Sequence, residues 1–436
     1  MFRFDHGGPA GAHTDDMATS PTPASSQLIG GVPIGRVRAW WAHRQGLDGG
    51  LAGAPAAEAL ARTGWARSVG GAAPYLGLFA RVGLEREAVD AAVARLDVHE
   101  LPSARGCTYV LPRTDYALGL TLGAGAPEGE LAAAEKHLGV RRAEIDRLCG
   151  AVADALDAAG GPLDPAAIKD ATGGAVRSLG EGGRKRGLTT TLPLALGLLQ
   201  ARGEIRRVPL NGRLDQQRYA YARWSPSPLA GFGLDREQVQ VELARRYFDW
   251  AAPASLRHFR WFSGLTAAAA KAAVEPLGLV PLGGTDLLLP PDLAEEFAGY
   301  REPEEPAYSL LSAIDGLHLL RRDLPLLIDP ADAQRPVPGA KVGRVFGGEA
   351  DPPCHIVVDR GRIVGFWEYD TQRHEIVHQL FASRAAVFED VALEAAIART
   401  EAFVREQLGD ARGFSLDSPK SRAPKITAMR QAQQAL

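Results

Sequence analysis

Three stretches of the chain carry residue types that could do chemistry. "HEIVH", residues 374–378, matches the His-Glu-x-x-His pattern of zinc hydrolases. Two histidines four apart share a metal only on a helix, where they lie about 6 Å apart; on a strand they are ~13 Å apart. The stretch follows an alternating run and a turn and is β-branched at Ile376 and Val377, so a strand without metal is expected. "GEGGRKRGLTTT" looks like a phosphate loop but lacks the Gly-Lys-Ser/Thr ending. It is expected to set Arg184, Lys185 and Arg186 beside a helix N-terminus, a geometry suited to DNA phosphates. "GWARSVGGAAPY", residues 64–75, puts Trp65, Arg67, Ser68 and a Gly70-Gly71 step where core packing would favour Leu and Ala. The glycines would let backbone come close to a ligand such as DNA, and Trp65 would anchor the loop.

The composition narrows what these stretches can serve. With 436 residues, 46% of them hydrophobic and 23% charged, the chain can bury a sizeable core. No run approaches the roughly 18 apolar residues that span a bilayer. Residues 1–26 are rich in Gly, Ala, Pro, Ser and Thr and lack the apolar core of a signal peptide; a disordered tail and a cytoplasmic protein are expected. Cys107, Cys149 and Cys354 lie far apart, with no Cys-x-x-Cys pair to hold zinc. The net charge is −3, yet residues 182–223 hold nine Lys/Arg against Glu204 and Asp215, and residues 411–436 hold five against Asp417. Such clustering is the footprint of a phosphate-binding face. The candidate DNA contacts are Arg105, Arg184, Lys185, Arg186, Arg213, Arg257, Lys420 and Arg422.

Three successive segments share one order of elements, helices followed by two short β-rich runs around a turn. In the middle one, a helical pattern stops at Gly160, Asp164 and Pro165 open a second helix, and "LTTTLPLALGLLQARG" is a third. "EIRRVPLNGRLDQQRYAYARW" then alternates around Asn211 and Gly212 as a hairpin. Helices followed by a hairpin read as a winged helix. The first segment repeats this with a turn at residues 103–106, and the third with a turn at Gly283 and Gly284. After "YREPEEPAY" the texture changes to a β-meander, a closing helix and a basic tail. The expected fold is α+β, with three tandem winged-helix units and a β-barrel-like lobe. The boundaries are 1–27 tail, 28–125, 126–228 and 229–300 for the units, and 301–436 for the lobe.

In order along residues 34–408, "RVRAWWAHRQGL", "YLGLFARVG", "ARGCTYVLP", "ASLRHFRWFSGL", "LLSAIDGLHLLRRD" and "VVDRGRIVGFWEYD" resemble the AlkZ-like winged-helix DNA glycosylases. This family includes crosslink-repair and self-resistance enzymes. The resemblance implies winged helices around a cleft closed by a β-barrel. It also implies hydrolysis of the N-glycosidic bond of a damaged nucleotide in double-stranded DNA, without metal or organic cofactor. The family's catalytic Gln-x-Gln or Gln-x-Asp motif falls, by counting back from "YLGLFARVG", on Arg67, Ser68 and Val69, and neither Gln is present.

That departure points to a remodelled site. A cationic alkylpurine leaves readily, whereas a neutral base needs its departing negative charge stabilised and a carboxylate to activate water. Arg67 could supply the charge and Ser68 a hydrogen bond, with Glu100, Asp315 or Glu368 as the carboxylate. The expectation is a monomeric, monofunctional DNA glycosylase for a bulky or hypermodified base, in repair, genotoxin resistance or antiphage defence; glucosylated cytosine is one fitting substrate. The alternatives are a catalytically silent winged-helix regulator and a fold relative with no nucleic-acid role.

Overall fold

A computed structural model describes residues 27–381 and 391–434; the disordered-tail expectation for residues 1–26 lies outside them. Helix boundaries follow the local chemistry of the sequence. Arg142–Ala159 ends on Gly160 at a left-handed φ of 62°, the conformation a glycine adopts without steric cost. Asp164 caps Pro165–Ala171 by accepting from the Ala167 N–H at 2.8 Å. Leu192–Ala201 follows, and then the antiparallel hairpin Ile205–Pro209 with Tyr219–Arg223.

The first segment runs Ile34–Arg44, Ala56–Thr63, Ala73–Val82 and Arg86–Ala94, then the hairpin Val98–Pro102 with Thr108–Pro112. The third runs Arg236–Ala251, Leu256–Ser263 and Ala267–Val274, then Val280–Pro281 paired with Leu287–Leu289. Two of these hairpins gain a third strand, Ala66–Arg67 in the first and Ala254–Ser255 in the third.

The C-terminal strands Tyr308–Leu311, His355–Asp359, Arg362–Asp370 and Glu375–Leu380 pair in sequence order. Among the described residues nothing pairs the last strand with the first, so this is an open sheet rather than the expected barrel. The last four residues of "HEIVH" open the strand Glu375–Leu380, with His374 in the preceding turn and His378 opposite Trp367. The basic tail is the helix Pro419–Gln434, which buries Ile426 and Met429 against the sheet. No helix among the described residues is long and apolar enough to cross a membrane.

The core joins elements distant in sequence. One cluster of buried side chains combines Trp41 of the first segment, Phe259 of the third and Ile356 of the C-terminal sheet. A second packs the first-segment helices on that sheet and the closing helix, where Phe79 and Phe403 stack 4.0 Å apart. The middle segment keeps a cluster of its own, Leu131 through Ile205. The first and third segments are thereby held against the sheet, and a cleft is left where all meet.

His99 is sealed into this framework between the rings of Tyr116 and Trp224, and neither of its ring nitrogens has a hydrogen-bond partner. Burial, and then the charges of Arg206 and Arg207, push its pKa down to about 3. The folded ring stays neutral, while an unfolded chain takes up a proton near pH ~6.5. The stabilisation is therefore complete above about pH 6.5 and declines below it by up to ~1.4 kcal/mol per pH unit. Urea midpoints measured from neutral to mildly acidic pH should show this slope, and His99→Phe should flatten it by that amount.

Candidate active-site cleft

The strand Ala66–Arg67 joins the edge of the first hairpin, with Ala66 opposite Val110 and Arg67 opposite Tyr109. Ser68 extends the pairing by donating its N–H to Thr108 O at 3.1 Å. Side chains alternate along extended backbone. Arg67 and Val69 accordingly line a cleft of about 760 Å³. Ser68 points to the opposite side, where its hydroxyl donates to Glu100.

That alternation separates the expected site residues. Ser68 and Glu100 are 1% and 3% exposed and do not line the cleft. Glu100 faces Arg207 of the middle hairpin at 3.9 Å, so this polar pair ties two segments together. Asp315 is also outside the cleft. Its two oxygens accept from Arg81 at 2.7 and 2.8 Å, and it caps the helix Gly316–Leu319 through the Leu317 N–H. A carboxylate so fully engaged cannot activate water. Glu368 does line the cleft, together with Arg67 and Arg105.

Glu368 lies on Arg362–Asp370 and is 2% exposed. The Lys425 ammonium sits 3.3 Å from its Oε1, and its buried Oε2 has no hydrogen-bond partner. Burial lowers the lysine's pKa, but Glu368 and neighbouring groups outweigh it and raise the value, so the ammonium persists at neutral pH. Burial and then Glu368 hold the Cys354 thiol well above its usual value, which makes it a poor nucleophile. His355 accepts from the Ala313 N–H and donates to the Ala411 carbonyl. Burial lowers its pKa; the neutral ring holds the cleft wall together.

Arg67 donates to Thr108 O at 2.9 Å, and its guanidinium carbon lies 5.3 Å from the centre of the Tyr109 ring. Its remaining donors take no partner among the described residues. On the rim, Arg105 and Arg322 lie 4.2 and 5.2 Å from the Trp261 ring. Asp351 is held by His318 and Arg322. Burial raises its pKa, but those two bonds outweigh burial and bring it to about 2. Aromatic faces beside fixed charges can stack and orient a planar, polar ring. Tyr109, Trp261, Asp351 and Gln217 escaped the sequence reading, and Lys425 entered it only as one charge of the basic tail. Of the four, only Tyr109 left a signal, since the alternation of "CTYVLP" places it on the same hairpin face as the cleft.

The Gly70-Gly71 step has a different occupant from the one expected. A Cβ on Gly71 would lie 2.4 Å from Gly413 O, and one on Gly70, at φ +74°, would lie 2.4 Å from Gln217 Cγ. The chain itself fills the space the glycines open. Trp65 is buried, its indole N–H donating to Asp115 at 2.7 Å and its ring packed on Trp250.

Several expected DNA contacts are internal ties. Arg422 is fully buried and pairs with Asp410 at 2.8 Å. Arg213 binds Asp215 and the Leu408 carbonyl. Arg257 is exposed but paired with Asp323. Lys420 is exposed near the start of its helix. Arg184, Lys185 and Arg186 are exposed, but they sit at the end of the short helix Gly180–Lys185 rather than beside a helix N-terminus. Changing these three to Ala should weaken DNA binding for all sequences. It should also reduce the slope of log K against log salt by up to about 2.7, since each phosphate neutralised by a cation accounts for about 0.9; an unchanged slope would place the DNA elsewhere.

The fold is similar to that of Streptomyces sahachiroi DNA glycosylase AlkZ, with a TM-score of 0.62 and 21% sequence identity over 87% of this chain and 97% of that one. The AlkZ-like DNA glycosylase family matches residues 60–403, and the chain belongs to that family. Among curated protein sequences none matches.

Proposed function

We propose that this chain is a DNA glycosylase that extrudes a bulky or hypermodified, uncharged base into the cleft and hydrolyses its N-glycosidic bond. One observation carries the reading. Arg67 and Val69 line the same cleft as Glu368, at the positions the family resemblance assigns to two glutamines. In this mechanism the Glu368 carboxylate takes a proton from water as the water oxygen bonds to C1′ of the sugar. The carboxylate also faces the positive charge that develops on that sugar. The bond from C1′ to the base nitrogen breaks with its electron pair going to the base. Arg67 stabilises that departing charge, and the proton returns to the base. Lys425, 3.3 Å from Glu368 Oε1, holds the carboxylate in place.

Val69 presents an apolar surface where an amide would compete for hydrogen bonds, and the cleft is in the size range of small-molecule sites. Both features favour a bulky substituent, with repair, genotoxin resistance or antiphage defence as the setting and glucosylated cytosine as one substrate to try. Incubating the protein with a panel of alkylated, crosslinked and phage-modified DNAs and cleaving with alkali tests this. Strand breaks at the modified base support it. Salt-dependent binding without breaks on any DNA of the panel would leave a silent DNA-binding protein.

A further inference from the structure

The loop at residues 411–417 lies along the mouth of the cleft and is tied to the segment that follows Arg67. Ala72 N–H donates to Arg412 O at 2.9 Å and Ser415 N–H to Val69 O at 3.0 Å. Gly413 N–H donates to Asp417 at 3.1 Å, which closes the loop on itself. On this pinned backbone Phe414 and Leu416 both line the cleft, yet they are 48% and 85% exposed. The other large exposed apolar side chains among the described residues, such as Leu28, Leu210 and Val342, are scattered singly, which is ordinary for a protein surface. A pair held out into water on a hydrogen-bonded loop beside a cleft is not ordinary.

We propose that Phe414 and Leu416 form an apolar wedge that enters the base stack of duplex DNA and fills the gap left by the extruded nucleotide. The proposal rests on the glycosylase reading. Extruding a base costs a few kcal/mol of unstacking, and apolar side chains inserted between base steps offset that cost. Because the loop is hydrogen-bonded to the Val69 segment, the wedge and the wall that receives the base keep a set spacing. Little ordering is then left to be done on binding.

The probe is a duplex with 2-aminopurine opposite a tetrahydrofuran abasic analogue, mixed with the full chain. The wild-type protein should raise the 2-aminopurine fluorescence severalfold as the wedge unstacks the opposite nucleotide. The double variant Phe414→Ala/Leu416→Ala should bind with affinity within about threefold, since phosphate contacts supply most of it, but give no rise. Phe414→Leu, which keeps an apolar tip, should retain the rise. An equal rise with wild type and double variant overturns the wedge and leaves the glycosylase reading standing. Wild-type protein that fails to bind the duplex overturns both.

Discussion

Glu368→Gln lowers base excision by about 10³-fold, within the 10²–10⁴ range of a lost general base, while affinity for the same DNA stays nearly unchanged. The amide keeps the shape of the side chain and can still accept from Lys425, which lies 3.3 Å from Oε1. What it loses is the negative charge and the basicity of the carboxylate. Glu368→Asp separates chemistry from packing. A shorter carboxylate on the same strand should recover part of the excision lost in the Gln variant, whereas a purely structural Glu368 would make the Asp variant the worse of the two. Thermal unfolding of each variant shows whether the fold survives.

The second large effect belongs to Arg67. Arg67→Ala lowers excision by about 10²-fold, the scale of losing one donor aimed at developing charge, and lowers DNA affinity far less. Arg67→Lys should recover little. A lysine keeps the charge but loses the planar fork that both bonds Thr108 O and lies near the Tyr109 ring. Equal losses of binding and excision would make Arg67 a phosphate clamp instead.

The local elements were legible in the sequence because their signals are local. Gly160 and Asp164 end one helix and begin the next, as their types require. The β-branched Ile376 and Val377 lie in the strand Glu375–Leu380. Arg67 and Ser68 were expected to face one cleft; the short strand Ala66–Arg67, where a loop was expected, sends them to opposite sides. The rest depends on partners far along the chain. Asp315 looks like a free acid until Arg81, 234 residues away, closes on both of its oxygens. Arg422 reads as part of a basic tail, yet it is buried in a helix against the sheet. The Gly70-Gly71 step reads as room for a ligand because nothing nearby in sequence reveals the loop at Arg412 and Gly413 that fills it. Charge counts have the same weakness, since pairing with acids cannot be seen in composition.

The most direct test of the cleft as a base-excision site is to count abasic sites in modified DNA. Duplex DNA in which every cytosine is a glucosylated derivative, together with matched unmodified and alkylated duplexes, would be incubated with wild-type protein and with Glu368→Gln. The free base released would be identified by mass, and the sugar aldehydes left behind would be quantified. Wild-type protein should release one free base for each abasic site from a modified duplex, and Glu368→Gln should release almost none while still binding that DNA. Equal release by both proteins would contradict the assignment of Glu368, and release by neither from any duplex, despite tight binding, would contradict the glycosylase account itself.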